Sequence, residues 1–240
     1  MYALFRKELK QFFSNLTGFL SIGLFLLLMG LFLFVFPDTS LLDFGYATLD
    51  KFFELAPWVL LLLVPAVTMR SFSDEFRSGT WELLKTKPLS LAQIAGAKYM
   101  ASLVVVLLSL LPTLLYVVTI KVLSINGSID SGAIAGSYVG LALLAAVFTA
   151  IGVCCSALTN NAIISFLLSA FVCFIMYSGF AAVASMETLQ GGPDYWIAMF
   201  GIDEHYKNIS RGVVAVKDIA YFAVVIGLFL LFTRKFIAQR

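Results

Sequence analysis

Long apolar stretches alternate along the chain with short segments that hold nearly all of the charge. Residues 16–36 carry no charge and stop at Pro37 and Asp38. Comparable runs cover 52–69 (uncharged from Leu55), 99–120, 138–158, 162–184 and 219–236. The last run ends on Arg234 and Lys235, whose apolar stems let the charged heads reach water from within a membrane boundary. A helix needs about 20 apolar residues to cross a bilayer. The pattern therefore predicts an all-α membrane protein with six transmembrane helices, forming one polytopic domain over residues 1–240. The first run is too long for a signal-peptide core and lacks a small-residue cleavage pattern after it, so it reads as a retained helix.

Before the first run, residues 1–15 show helical rather than continuous apolarity. Phe5 and Phe12 fall on one side with Leu4, Leu9 and Phe13, while Arg6, Lys7 and Lys10 take the other. This predicts an amphipathic helix lying in the lipid headgroup layer. Glu8 falls inside the apolar sector, and a carboxylate there needs either a partner or an escape to water.

Composition narrows the function. Of 240 residues 61% are apolar and 12% charged, about half the charge of a soluble domain, which excludes two large soluble domains. The net charge of +2 is not gathered on one basic face, so no nucleic-acid surface is expected. None of the span cores contains Asp, Glu or His, which argues against proton relays, voltage sensors and intramembrane proteases. Cys154, Cys155 and Cys173 fall within spans and read as packing groups, and the single histidine, His205, lies in a loop. Neither a metal site nor a catalytic residue is expected. With the N-terminus inside, eleven of the sixteen Lys and Arg residues lie in inner segments, which predicts that both termini are cytoplasmic.

The inner loop, residues 70–98, holds most of the polar specificity on that side. From Arg70 through Glu75, Arg77, Gly79, Thr80, Trp81, Glu82 and Leu83 to Leu84 it mixes charges with aromatic and aliphatic groups. Gly79 suits the end of one short helix and Thr80 the cap of the next. Ser90 with Gln93 forms a capping box that opens the helix into the third span.

This stretch resembles the signature of the permease subunits of ABC exporters of the six-helix, second-exporter class. In that family a loop of the form E-x-R-x-x-G-T-x-E-x-L-L joins helices two and three; here one residue fewer separates Arg77 from Gly79. Thr86, Pro88, Leu89, Ser90, Gln93, Ile94 and Lys98 follow the family's run into helix three. Glu204, His205, Tyr206, Arg211, Gly212, Val213 and residues 217–222 resemble the gliding-motility branch of the family in Bacteroidetes.

The resemblance implies a permease subunit in the bacterial inner membrane, whose short coupling helix between helices two and three docks on cytoplasmic ABC ATPase subunits. Glu75, Arg77 and Glu82 would supply charge complementarity there, and Trp81, Leu83 and Leu84 an apolar anchor. No Walker A pattern occurs in the chain, so ATP and Mg belong to the partner and this chain needs no cofactor of its own. The resemblance also implies a second permease protomer, identical or not. Its seam is assigned to Ser165 and Ser169 on helix five, where small residues recur at i,i+4 and allow close approach. The gliding-motility branch further implies an accessory membrane component.

Between helices five and six, Tyr195, Trp196, Phe200, His205 and Tyr206 sit among short amphipathic stretches. These suit re-entrant or interfacial helices at the outer face, which the resemblance makes an outer gate; a plain surface cap fits the sequence equally. Uncharged spans favour an apolar or weakly polar cargo, or mechanical signalling with none. A non-transporting membrane scaffold and an ion-independent channel stay open as alternatives.

Overall fold

The computed structural model describes residues 1–37, 48–124, 130–186, 193–210, 212 and 215–240, without the side chains of residues 17, 193 and 194. Thirteen α-helices are described, and no strand occurs among the described residues. In chain order they are α1 (Tyr2–Ser14), α2 (Leu16–Phe34), α3 (Asp50–Thr68), α4 (Ser73–Ser78), α5 (Thr80–Lys85), α6 (Leu91–Leu110) and α7 (Leu114–Leu123). There follow α8 (Ser131–Leu158), α9 (Ala162–Phe174), α10 (Phe180–Ala184), α11 (Pro193–Met199), α12 (Ile202–Ser210) and α13 (Val216–Ala238). Five continuous helical stretches are long and apolar enough to cross a membrane, and a sixth is added when α1 and α2, which meet at 67°, count as one.

Local chemistry explains where the long helices bend. Pro112 lacks an amide hydrogen and clashes with the preceding turn, and a 3-10 turn at Leu111–Thr113 separates α6 from α7 there. Residues Ile175–Gly179 form a π-helical turn between α9 and α10. The capping box at Ser90 and Gln93 is present, each side chain bonding the other's backbone amide.

The long helix α8 is the hub, packed against α3, α6, α9, α12 and α13. Its small residues permit this: a methyl group on Gly140 would lie 2.8 Å from the Ile209 side chain, and one on Gly152 would collide with Thr68. Phe25, Met29 and Leu33 of α2, Phe52, Leu60 and Val64 of α3, and Leu141, Leu144 and Phe148 of α8 belong to one large buried cluster. A second cluster, at the end of the bundle that carries both termini, joins Leu4, Phe72, Trp81, Leu84, Ile94, Val153 and Ile237.

Candidate functional site

At the terminus-bearing end, the chain leaves α3 through a tight turn and makes two short helices, α4 and α5, that meet at Gly79. Gly79 has φ +72°, a left-handed conformation that costs a residue with a Cβ roughly 1–2 kcal/mol. Glycine therefore closes α4 and at the same residue opens α5. The Thr80 side chain does not cap α5, contrary to the sequence expectation; its Oγ1 lies 2.9 Å from Ser78 Oγ instead.

Two sets of contacts hold this elbow to the bundle. On one side, Ser156 of α8 accepts the Phe72 and Ser73 amides at 2.9 and 3.2 Å and donates to the Met69 carbonyl at 3.1 Å. These amides begin α4, where no intrahelical acceptor exists. On the other side, Lys98 of α6, 1% exposed, places its ammonium 3.1 Å from Glu8, 3.0 Å from Glu75 and 2.6 Å from the Ser71 carbonyl. The Glu8 and Ser71 contacts are hydrogen bonds, and Glu75 adds a close ion pair. Lys7 adds a weaker, exposed contact to Glu75 at 3.4 Å. One buried cation thus joins the amphipathic helix α1, the turn into α4, and α6.

Aromatic packing fixes which face of α5 turns inward. Trp81 is 3% exposed and meets Phe72 and Phe76 edge-on at centroid distances of 5.9 and 5.5 Å. Its indole nitrogen is buried without a hydrogen bond, so the ring serves by packing. Leu84 is buried beside it, whereas Leu83 is 66% exposed. The C-terminus joins the same cluster. Arg240 lies 5.0 Å above the Phe76 ring and donates to Asn160 and the Leu158 carbonyl.

The expected docking residues therefore divide. Trp81 and Leu84 are internal anchors and Glu75 is spent on Lys98, so none of them lies on an outward docking face. Arg77, Glu82 and Leu83 remain exposed, with Arg77 loosely paired to Asp74 and Glu82 to Lys85. Arg70 is also exposed and lines a small cavity beside α1 with Glu8, Gln11 and Asp74. On α1, Arg6, Lys7 and Lys10 are exposed, while Phe5 and Phe12 are half-buried against the bundle. The Glu8 problem posed by the sequence is met by Lys98. Sequence reasoning gave no site role to Lys98, Ser156 or Arg240; the signal for the first was Glu8 itself, a carboxylate in need of a cation.

At the opposite end, the proposed gate residues fall into two groups. Tyr195, Trp196 and Phe200 are exposed. His205 and Tyr206 are buried and tie α12 to its neighbours, so they are not part of an exposed gate surface. His205 Nδ1 lies 2.7 Å from Asp218 Oδ1, and its Nε2 donates to the Met199 carbonyl at 3.0 Å. The imidazole also stacks on Tyr221 at 4.0 Å. The Tyr206 hydroxyl donates to the Phe53 carbonyl at 2.7 Å, and burial, followed by the nearby Tyr177 and Asp203, pushes its phenol well up. Asp203 and Lys207, at i,i+4 on α12, form an ion pair at 2.6 Å. Arg211 and Val213, which the sequence also singled out, lie outside the described residues.

Ser165 and Ser169 are both 0% exposed, on the face of α9 turned into the protomer. Both are packed inside the protomer, and the Ser169 hydroxyl lies 3.2 Å from where a methyl group on Gly152 of α8 would sit. The outward face of α9 carries Ile164, Leu167 and Phe171 instead.

The sequence model of the ABC-2 family transporter proteins matches residues 45–201, which include the elbow and most of the bundle. A search of curated proteins gave no match. Because the match covers more than half of the chain, this protein belongs to the ABC-2 family of transporter proteins.

Proposed function

We propose that this chain is the permease subunit through which a cytoplasmic ABC ATPase drives movement in a bacterial inner membrane, with the elbow of α4 and α5 as the coupling element. The observation that carries the reading is the elbow's two-sided character. Its inner face is locked to α1, α6 and α8 through Lys98, Ser156 and Trp81, while Arg77, Glu82 and Leu83 are exposed on the outer face. A push on such an elbow is passed to the packed helices rather than absorbed by a loop. Arg77 and Glu82 offer both signs of charge around an apolar side chain, a pattern that gives orientation as well as affinity.

On this reading both termini are cytoplasmic, in keeping with the excess of Lys and Arg in the segments at that end. ATP and Mg are held by the partner. A second permease protomer completes the transporter, and the exposed Ile164, Leu167 and Phe171 row on α9 is the face offered to it or to lipid. The sequence resemblance to the gliding-motility permease GldF of Bacteroidetes adds a role in motility or the associated secretion, with the accessory membrane protein GldG as a further partner.

The test is affinity purification of the tagged chain from its native membrane in mild detergent, comparing wild type with Leu83→Asp. Because Leu83 is exposed, the variant leaves the core intact. The expected result is an ABC ATPase recovered with wild type and lost with Leu83→Asp at equal yield of folded permease. Equal recovery of the ATPase with both would reject the elbow as the docking surface, and recovery of none with either would favour a membrane scaffold.

A further inference from the structure

At the end of the bundle away from the termini, α3, the π-helical turn and α12 enclose a cleft of about 620 Å³, within the span of roughly 300–1,000 Å³ typical of small-molecule sites. Asp50, Glu54 and Trp58 line it as an i,i+4 stripe on α3, which puts them on one helix face. Asp203 and Lys207 form the facing wall on α12, and Tyr177 enters from the π-helical turn. Such turns are rare and occur often at functional sites.

Three carboxylates against one lysine lie along the walls, while the aromatic part is built from Trp58 and Tyr177, edge to face at 5.6 Å, with Tyr206 beyond at 6.4 Å. Glu54 is paired with Lys51 at 3.0 Å and Asp203 with Lys207 at 2.6 Å. Each pair is formed within a single helix; Glu54 is 67% exposed, so its pair contributes little in water and can exchange with a ligand, while Asp203, with a side chain 12% exposed, is the more firmly held carboxylate. Carboxylates beside aromatic rings recognise a cation that is also apolar, because the rings add attraction for a weakly hydrated charge. An anion would meet repulsion, and no cluster of three His, Cys, Asp or Glu side chains able to hold a metal ion occurs among the described residues.

We propose that this cleft binds a monovalent organic cation of the amine or quaternary onium class, with its charge between Glu54 and Asp203 and its apolar body against Trp58 and Tyr177. This deepens the permease reading by naming a substrate class, and rests on that reading only for the step from ligand to cargo. It replaces the uncharged cargo that the span cores alone suggested. A soluble onium and the amine headgroup of a phospholipid present the same chemistry.

The test is equilibrium dialysis of radiolabelled tetraphenylphosphonium with the full chain in an uncharged maltoside detergent, where no ATPase is needed and failure leaves the coupling reading untouched. Expected is saturable binding of one cation per chain, weakened at least tenfold by Glu54→Gln and by Trp58→Ala. Lys207→Met, which removes the competing ammonium, should tighten it. Tetraphenylborate, the same shape with the opposite charge, should not displace the probe. Displacement by added phosphatidylethanolamine but not phosphatidylglycerol would assign the site to a lipid amine, and no displacement by either to a soluble cation. Absence of saturable binding, unchanged affinity in both Glu54→Gln and Trp58→Ala with each variant monodisperse and helical, or equal displacement by tetraphenylborate would overturn the proposal.

Discussion

A lysine ammonium enclosed by helices is costly unless its charge is paired and hydrogen-bonded, and Lys98 has two carboxylates beside it and a carbonyl that accepts from it. Its removal leaves Glu8 and Glu75 facing each other with only the exposed ammonium of Lys7, 3.5 and 3.4 Å away, beside them. Breaking a largely buried pair costs about 3–5 kcal/mol, so Lys98→Met is expected to lower the thermal midpoint of the purified protein sharply, and Lys98→Arg to lower it less. The sharper check is a second-site one. Glu8→Gln added to Lys98→Met should recover part of the loss, because one of the stranded charges has gone. A variant pair whose losses simply add would show that the three groups do not act as a unit. Glu8 was visible in the sequence as a misplaced charge, but which of sixteen Lys and Arg residues answered it was not, since the partners are 90 positions apart.

At the scale of elements, the elbow depends on Ser156 for the first amides of α4. Ser156→Ala leaves two buried donors without an acceptor, and each such loss costs about 1–3 kcal/mol. Hydrogen exchange should therefore quicken at Phe72 and Ser73 in the variant while the amides of α8 stay protected. If the two regions quickened together, α4 would be unfolding with the bundle and not as a hinged element. The long elements were legible because their signals are long: charge-free runs marked the spans, and Ser90 with Gln93 marked a helix start. The facing of α5 was not. Six residues hold fewer than two turns, so periodicity cannot say whether Trp81 or Leu83 points inward, and the answer came from Phe72 and Phe76 on the preceding segment. The same limit applies to Ser165 and Ser169, which are buried within the chain. A row of small residues announces a close approach, but not whether the neighbour is α8 of the same chain or another protomer.

For the whole molecule, the two ends of the bundle are built for different work. The terminus-bearing end gathers α1, the elbow, the start of α6 and Arg240 into one cluster around a buried, paired ammonium. The other end carries the acidic and aromatic cleft between α3 and α12. The hub helix α8 reaches both, touching Phe72 and Ser73 through Ser156 and α12 through Ser137, which donates to the Ser210 carbonyl at 2.7 Å. That continuity is what a coupling role requires, a rigid element biased from either end. The measurement that tests it most directly is site-specific photocrosslinking in the native membrane, with p-benzoylphenylalanine placed singly at positions 77, 82, 83 and 196. The account predicts an adduct with an ABC ATPase from positions 77, 82 and 83 and none from 196, at the opposite end. An ATPase adduct from 196, or none from the three elbow positions in a complex that still hydrolyses ATP, would contradict it.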